Sequence, residues 1–236
     1  MAVTCQGAYN GYTMSERAPD VAGPHEPAQG KELFVAFANT LAYTRGIVED
    51  QVPDTDALLA WLRAQRLISD RAQSAEAFTL RRNPAEAARR LERFRHLRDV
   101  LRAISTEVAA RGRPTRIQLR RLNHILRHGL HYHQLETDPD GARYAFAQVG
   151  DRLDQARATI ASSLAQFLAD DVPDRLRICD NDACRLVFVD RSPTGRRRWC
   201  DMRTCGNQAK VARHRARTRA ALEDAPSLAD PALGGR

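Results

Sequence analysis

The sequence predicts a mainly α-helical protein, in which a helical N-terminal domain with one β-hairpin precedes a small C-terminal ββα metal module. Three observations support this fold class. The helix-forming residues Ala, Leu and Arg are abundant and aromatic residues make up only 6%. Apolar residues recur three and four positions apart over much of the chain. Four of the five cysteines cluster near the C-terminus, and 43% hydrophobic residues suffice for a buried core.

The chain divides into four predicted segments. Residues 1–30 and 221–236 lack hydrophobic periodicity, so we expect them to be disordered. A helical domain is predicted over 31–172 and a compact module over 173–220. Asp171-Val172-Pro173-Asp174 breaks the last helix of the domain and marks the boundary between the two.

Five helices are predicted before the hairpin. Asn83-Pro84 begins the longest of them, because proline is tolerated at the first helical position, and Gly112 ends it. The five predicted helices run from Lys31 to about Tyr43, from Asp54 or Asp56 through Leu62, over residues 69–80, from Pro84 to about Arg111, and from Arg113 to Gly129.

The pattern then changes from helical to extended. Leu130–Thr137 and Ala142–Val149 read as two strands, and Asp138-Pro139-Asp140-Gly141 between them is a strong turn signal. These residues predict a β-hairpin. A further helix is expected to start at Asp151 and to continue through Leu168.

Positive charge is concentrated in one segment. The formal net charge is +8, while Arg175–Ala220 holds 13 Arg and Lys against four Asp, a net of +9, so the rest sums to about −1. A localised basic segment is typical of a nucleic-acid-binding protein; a solubilising tail is the alternative. The chain lacks a signal-peptide pattern and the roughly 18 apolar residues of a membrane helix. We therefore expect a cytoplasmic protein with reduced thiols.

The cysteines follow the pattern Cys179-x4-Cys184-x15-Cys200-x4-Cys205. Two close pairs separated by about fifteen residues are typical of a tetrahedral zinc site. Two disulfides and an iron–sulfur cluster are the alternatives. Four thiolates leave no position for water, which indicates one structural Zn²⁺ rather than a catalytic ion. Within the module, 185–190 is predicted to be a strand that returns through 196–199 after a turn.

A basic helix is predicted from Met202 to Ala220. Its alanines form a small-residue stripe that we expect to pack against the hairpin of the module: Ala209, Ala212, Ala216 and Ala220. The candidate nucleic-acid contacts comprise cations of this helix and of the approach to Cys200: Arg196, Arg197, Arg198, Arg203, Lys210, Arg213, His214 and Arg217. Arginine binds phosphate or the guanine edge in the major groove. A solvated face paired with acidic residues is the alternative, but acidic partners are scarce locally.

Three stretches of the module resemble the CGNR zinc-finger family: Leu186–Ser192 (LVFVDRS), Arg197–Met202 (RRWCDM) and Cys205–Val211 (CGNQAKV). The resemblance covers about residues 175–217 and implies a treble-clef-like fold with zinc on the four cysteines. One position departs from the family motif, because Gln208 stands where the motif has Arg.

The N-terminal region is similar to the ABATE domain, which usually precedes this finger. Phe34–Thr40 and Leu58–Leu62 look like its opening helices. The resemblance implies a bacterial, stress-linked transcription regulator.

The histidines offer an alternative metal site, because His124, His128 and His131 would share a helix face if Gly129 did not interrupt it. A polar surface role is the competing interpretation. Phosphate-binding loops and catalytic arrangements do not stand out, so an enzyme is not predicted. We expect a nucleoid-associated DNA-binding regulator whose helical domain senses a small molecule or forms a homodimer. The second hypothesis is an adaptor whose finger binds RNA or protein.

Overall fold

The computed structural model describes residues 32–44, 47–139, 141–148, 150–170 and 173–223. Its helices are α1 Leu33–Ala38, α2 Thr55–Ala64, α3 Asp70–Arg81, α4 Pro84–Arg111, α5 Arg116–Leu126, α6 Arg152–Asp170 and α7 Asn207–Glu223. Its strands are β1 Leu41–Thr44, β2 Ile47–Asp50, β3 His131–Asp138, β4 Gly141–Gln148, β5 Leu176–Ile178 and β6 Val187–Val189. The strands form three antiparallel pairs, β1–β2, β3–β4 and β5–β6. The segment 1–30, predicted to be disordered, lies outside the described residues. Of the predicted disordered tail, 221–236, residues 221–223 still belong to α7, and the rest lies outside the described residues.

Local capping explains why the helices begin and end where they do. Asn83 accepts a hydrogen bond from the backbone of Glu86 at the start of α4, and Gly112 ends α4 with a left-handed φ of 75°. Thr115 and Gln118 form a reciprocal capping box at the start of α5. These signals are local in sequence, and the predicted bounds of α4 agree with the structure.

The core of the helical region is built around α4. Leu97, Leu101 and Ile104 on its inner face are completely buried. Phe37 of α1 packs edge-on against Phe94 of α4, with ring centroids 5.9 Å apart. Helix α6 lies against both α1 and α4. One long central helix therefore organises the packing of its neighbours.

The predicted first helix is too long, and a second hairpin was not predicted. Helix α1 ends at Ala38, so Leu41 lies in β1 of the β1–β2 hairpin rather than in a helix. Arg98 of α4, only 5% exposed, donates two hydrogen bonds to Asp50 (2.7 and 3.0 Å) and one to Thr40. A long-range ion pair thus holds this hairpin, and helical spacing alone does not reveal it.

The strand pairing of the C-terminal module also differs from the prediction. Strand β6 pairs with β5, which precedes the first cysteine, in the register Leu176↔Val189 and Ile178↔Val187. Residues 196–199, predicted to return as a strand, form an irregular segment. Three-residue strands give too little alternation to identify from the sequence.

The β5–β6 hairpin packs on the helical region. Leu176 and Val187 are buried in the same hydrophobic cluster as α1, α4 and α6. The Asn39 side chain bonds both backbone groups of Val187: it accepts from the amide at 3.0 Å and donates to the carbonyl at 2.8 Å. Arg102 of α4 donates to the carbonyl of Arg185. The predicted boundary near residue 172 stays a prediction, but residues on its two sides share one core.

Candidate metal centre and nucleic-acid interface

The four cysteines converge on one point. The ligand sulfurs of Cys179, Cys184, Cys200 and Cys205 all lie within 4.8 Å of one another. The Sγ atoms of Cys184 and Cys200 are 3.7 Å apart, and those of Cys200 and Cys205 are 3.8 Å apart. Four thiolates at about 2.3 Å from a tetrahedral zinc ion must be separated by about 3.8 Å. The sulfur positions therefore fit one structural Zn²⁺.

Asn181 shapes the turn between the first two cysteines. Its carbonyl accepts hydrogen bonds from the amides of Cys184 (2.8 Å) and Arg185 (3.0 Å), and its side chain accepts from Ala183. Arg185 adopts a left-handed φ of 54°. The amide of Cys179 donates to the carbonyl of Leu186 and closes the turn. This tight loop directs both sulfurs of the pair to the same side.

Burial suppresses the ionisation of two of the four thiols. It raises the pKa of Cys184 to about 11 and also raises the pKa of Cys200. For Cys205, burial acts in the same sense, but hydrogen bonds, first that of the Asn181 side chain, hold its pKa below the usual value. Neutral thiols bind zinc poorly. Binding of a cation must therefore displace protons from this cluster.

Asp190 organises the segment that leads to the second cysteine pair. It is 1% exposed, and its carboxylate accepts from the amides of Ser192 (2.9 Å) and Arg197 (2.8 Å). Burial opposes its ionisation, yet these hydrogen bonds lower the pKa of Asp190 to about 2. The buried carboxylate thus fixes the path of the chain between β6 and Cys200.

Two of the arginines in the Arg196–Arg198 run have partners within the module. Arg197 donates to the carbonyl of Cys200 and lies over the Phe188 ring at 5.4 Å. Arg198 pairs with Asp180 at 2.6 Å. Their guanidinium groups therefore stabilise the surroundings of the metal centre, whereas Arg196 is exposed.

Helix α7 leaves the metal centre with its side chains in solvent. A π-helical turn, Met202–Gly206, carries Cys205 and leads directly into α7. The prediction that the alanine stripe packs on the hairpin is wrong, since Ala212 and Ala216 are exposed. Of the stripe, only Ala209 in the first turn is half-buried, so the helix is free of the module from Ala212 through Ala216.

The cations of α7 and of the turn before it are exposed and have no ion-pair partner among the described residues. Met202–Leu222 contains six Arg and Lys and no Asp or Glu. Within the part of the chain that the structure describes, no ion pair engages the six side chains or His214, all exposed: Arg203, Lys210, Arg213, His214, Arg215, Arg217 and Arg219. Lys210, Arg213 and Arg217, at i, i+3 and i+7, form one row, which we call the α7 row.

Gln208 connects α7 to the first cysteine turn. Its side-chain oxygen accepts a hydrogen bond from the Asn181 side chain at 2.8 Å. An arginine at this position lacks an acceptor and could not make this contact. The substitution relative to the CGNR motif is therefore accompanied by a specific contact beside the zinc ligands.

The histidines considered as a second metal site, with a polar surface role favoured, do not converge. The rings of His124 and His128 lie 5.9 Å apart at 89°, and His131 belongs to β3. Among the described residues, the cysteines are the group of three or more potential ligands whose donor atoms converge. Burial lowers the pKa of His128, which favours the neutral imidazole.

The fold and the metal centre define a zinc-finger protein with a helical N-terminal region. Comparison with known families makes this class specific. The model of the CGNR zinc finger matches residues 175–218. The ABATE model, described as "Putative stress-induced transcription regulator", matches residues 31–171. The chain therefore belongs to the ABATE family and carries a C-terminal CGNR zinc finger.

Three further findings are negative. No curated protein matches the chain significantly. Neither matched family is a family of enzymes. In the described residues, no helix combines the length and the apolar character needed to cross a membrane.

Proposed function

We propose that this protein is a cytoplasmic, nucleoid-associated transcription regulator whose zinc finger binds duplex DNA through α7. The main support for DNA binding is the exposed helix, which has six Arg and Lys and no acidic residue over Met202–Leu222. Zinc on the four cysteines fixes the base of the helix, and the α7 row then meets phosphates or base edges. The DNA contacts predicted from the sequence remain proposals; Arg196, Arg203, Lys210, Arg213, His214 and Arg217 are the exposed ones that form no ion pair among the described residues.

The dimensions of the helix suit a duplex. An α-helix with side chains is about 10–12 Å wide, and the major groove of B-DNA is about 12 Å wide. A helix that packs on other protein elements could not enter the groove so fully, but the described side chains of α7 beyond the half-buried Ala209 are all exposed. Single-stranded nucleic acid is usually bound by stacked aromatics, and α7 contains none.

Equilibrium binding to a labelled 30-base-pair duplex tests the proposal. The variant K210Q/R213Q/R217Q is called the α7 triple. Its plot of log affinity against log salt concentration should have a slope that is smaller in magnitude by about 2 to 3 than that of the wild type. The matched control is R66Q/R71Q/R82Q, which removes three exposed arginines of the α2–α3 region and should bind as the wild type does. Equal binding by the α7 triple and the wild type, or preference for RNA, would contradict the proposal.

The helical region is proposed to mediate dimerisation, with ligand sensing as the alternative role. Leu135 and Tyr144 face each other across β3–β4 and are 73% and 65% exposed. An isolated two-stranded hairpin is marginally stable in water, and exposed apolar patches mark interaction sites. Sedimentation should give a dimer that L135S/Y144S converts to a monomer. A monomeric wild type stabilised by a small molecule in a thermal-shift screen would favour sensing instead.

A further inference from the structure

A second stretch with several arginines and no acidic residue lies within the helical region. Residues 108–135 contain six Arg and no Asp or Glu, the same excess as Met202–Leu222. The near-zero net charge of the chain outside the finger conceals this stretch, because acidic residues elsewhere offset it. The stretch comprises the end of α4, the turn 112–115, α5 and the start of β3.

Of the four arginines of α5 and its C-cap, three lie on one face, and Arg121 lies off it. Leu122 and Ile125 are 2% and 1% exposed and hold the helix against its neighbours. Arg116, Arg120 and Arg127 follow at i, i+4 and i+11, which places them together opposite the buried side. All three are exposed, and Asn123 at i+7 is exposed between them. We call Arg116, Arg120, Asn123 and Arg127 the α5 face.

No acidic side chain of the described ranges pairs with this face. Arg111 pairs with Glu107, but across the described ranges no ion pair involves the other arginines of the stretch, which are Arg113, Arg116, Arg120, Arg121 and Arg127. Like charges at i and i+4 destabilise a helix. By contrast, Arg89 and Arg90 of α4 both pair with Glu86. A row of unpaired guanidinium groups is complementary to a polyanion.

Helix α5 and the finger contact consecutive residues of α4. Arg102 of α4 donates to the carbonyl of Arg185 in the finger. The carbonyl of the next residue, Ala103, accepts a hydrogen bond from the Gln118 side chain of α5 at 3.0 Å. Consecutive residues of an α-helix differ by only 1.5 Å along its axis. The first cysteine loop of the finger and α5 therefore both contact α4 at neighbouring residues.

We infer that the α5 face is a second DNA-binding surface, which contacts duplex phosphates while α7 is bound to the same molecule. The inference rests on the proposed function of the finger and extends it. Arginine forks bind phosphate oxygens in a bidentate manner, and such contacts orient a protein on the duplex without reading its sequence. The order of α4, a four-residue turn with Gly112, and α5 is also that of a helix–turn–helix.

The test compares four full-length, zinc-loaded proteins on the same 30-base-pair duplex between 50 and 200 mM NaCl. They are the wild type, the α7 triple, the control triple R66Q/R71Q/R82Q and an α5 triple, R116Q/R120Q/R127Q. Glutamine preserves helix propensity, and circular dichroism with zinc content establishes that each variant is folded. Three lost phosphate contacts reduce the salt slope by about 2.7. When the salt concentration rises from 50 to 200 mM, the affinities of both proteins fall. The factor by which the affinity falls should be roughly 40 times smaller for the α5 triple than for the wild type.

The outcomes separate this inference from the proposed function. Binding by the α5 triple that equals the control triple, while the α7 triple is impaired, overturns the second surface and leaves the finger proposal standing. Equal impairment of all three triples indicates a net-charge effect and also overturns it. A wild type that does not bind the duplex contradicts both proposals. A defect of the α5 triple on duplex RNA alone assigns the surface to RNA and overturns the DNA assignment.

Discussion

The contact between Asn39 and Val187 predicts that finger and helical region unfold together. Asn39→Ala removes both hydrogen bonds to the Val187 backbone. Val187 is 2% exposed, so an amide and a carbonyl lose their partners in the interior. Each unpaired group costs about 1–3 kcal/mol. We expect a total loss of about 2–4 kcal/mol, since Asn39 is only partly buried and water can replace some of the bonding.

Thermal unfolding of the zinc-loaded full chain, followed by far-ultraviolet circular dichroism, measures this effect. For a chain of this size, each kcal/mol lowers the Tm by about 2–4 °C. The helical signal of Asn39→Ala should therefore melt about 5–15 °C lower in a single transition. Asn123→Ala, an exposed position on α5, is the matched control and should not lower the Tm.

A second measurement tests whether zinc binding by the finger is coupled to the unfolding of the helical region. Removal of zinc with a chelator should lower the Tm of the main helical transition in the wild type, because the hairpin that carries Leu176 and Val187 is part of the same core. An Asn39→Ala protein with the Tm of the wild type would refute the reasoning. So would two separate transitions, of which only the smaller responds to zinc.

Three further predictions concern charge and metal. Asp50→Asn leaves the buried Arg98 guanidinium without its carboxylate and should cost about 3–5 kcal/mol at pH 7. Hydrogen bonds from Arg98 hold the pKa of Asp50 below its ordinary 3.8. The ion pair therefore stabilises the fold above about pH 4 and loses this effect as the pH falls further. The difference in Tm between the wild type and Asp50→Asn should accordingly become smaller below about pH 4. Zinc release, followed with a metal indicator, should increase from pH 7.5 to 5.5, because the metal-free Cys184 thiol has a pKa of about 11 and protons compete with zinc; release independent of pH would contradict this. Gln208→Arg adds an exposed cation to α7 and should raise the salt slope of DNA binding by up to about 1, whereas Gln208→Ala should not.

The sequence predicts elements that are specified by neighbouring residues. The start of α4 at Pro84, its end at Gly112 and the β3–β4 turn follow from local signals, and the structure agrees with them. The β1–β2 and β5–β6 hairpins depend on distant groups: Arg98 secures one and Asn39 the other. Their strands have three or four residues, too few for a clear alternation.

The metal centre is predicted well because cysteine spacing is itself a geometric constraint, and four sulfurs within 4.8 Å confirm a site for one metal ion. The cationic surface is predicted less completely. Charge counting cannot show that Arg197 and Arg198 bond within the module. A sum over the whole helical region also hides the local excess on α5, which a count over a window of about 25 residues reveals.

DNA binding measured during reversible zinc removal tests the central claim most directly. Zinc content and anisotropy of the labelled duplex are recorded on one sample of the full chain, first with a chelator and then after Zn²⁺ or Mg²⁺ is added. Because Cys205 lies in the turn that leads into α7, loss of zinc should release the base of the helix and lower affinity at least about tenfold. Zn²⁺ should restore binding and Mg²⁺ should not. A metal-free protein that retains the affinity and the salt slope of the zinc-loaded form would contradict the account.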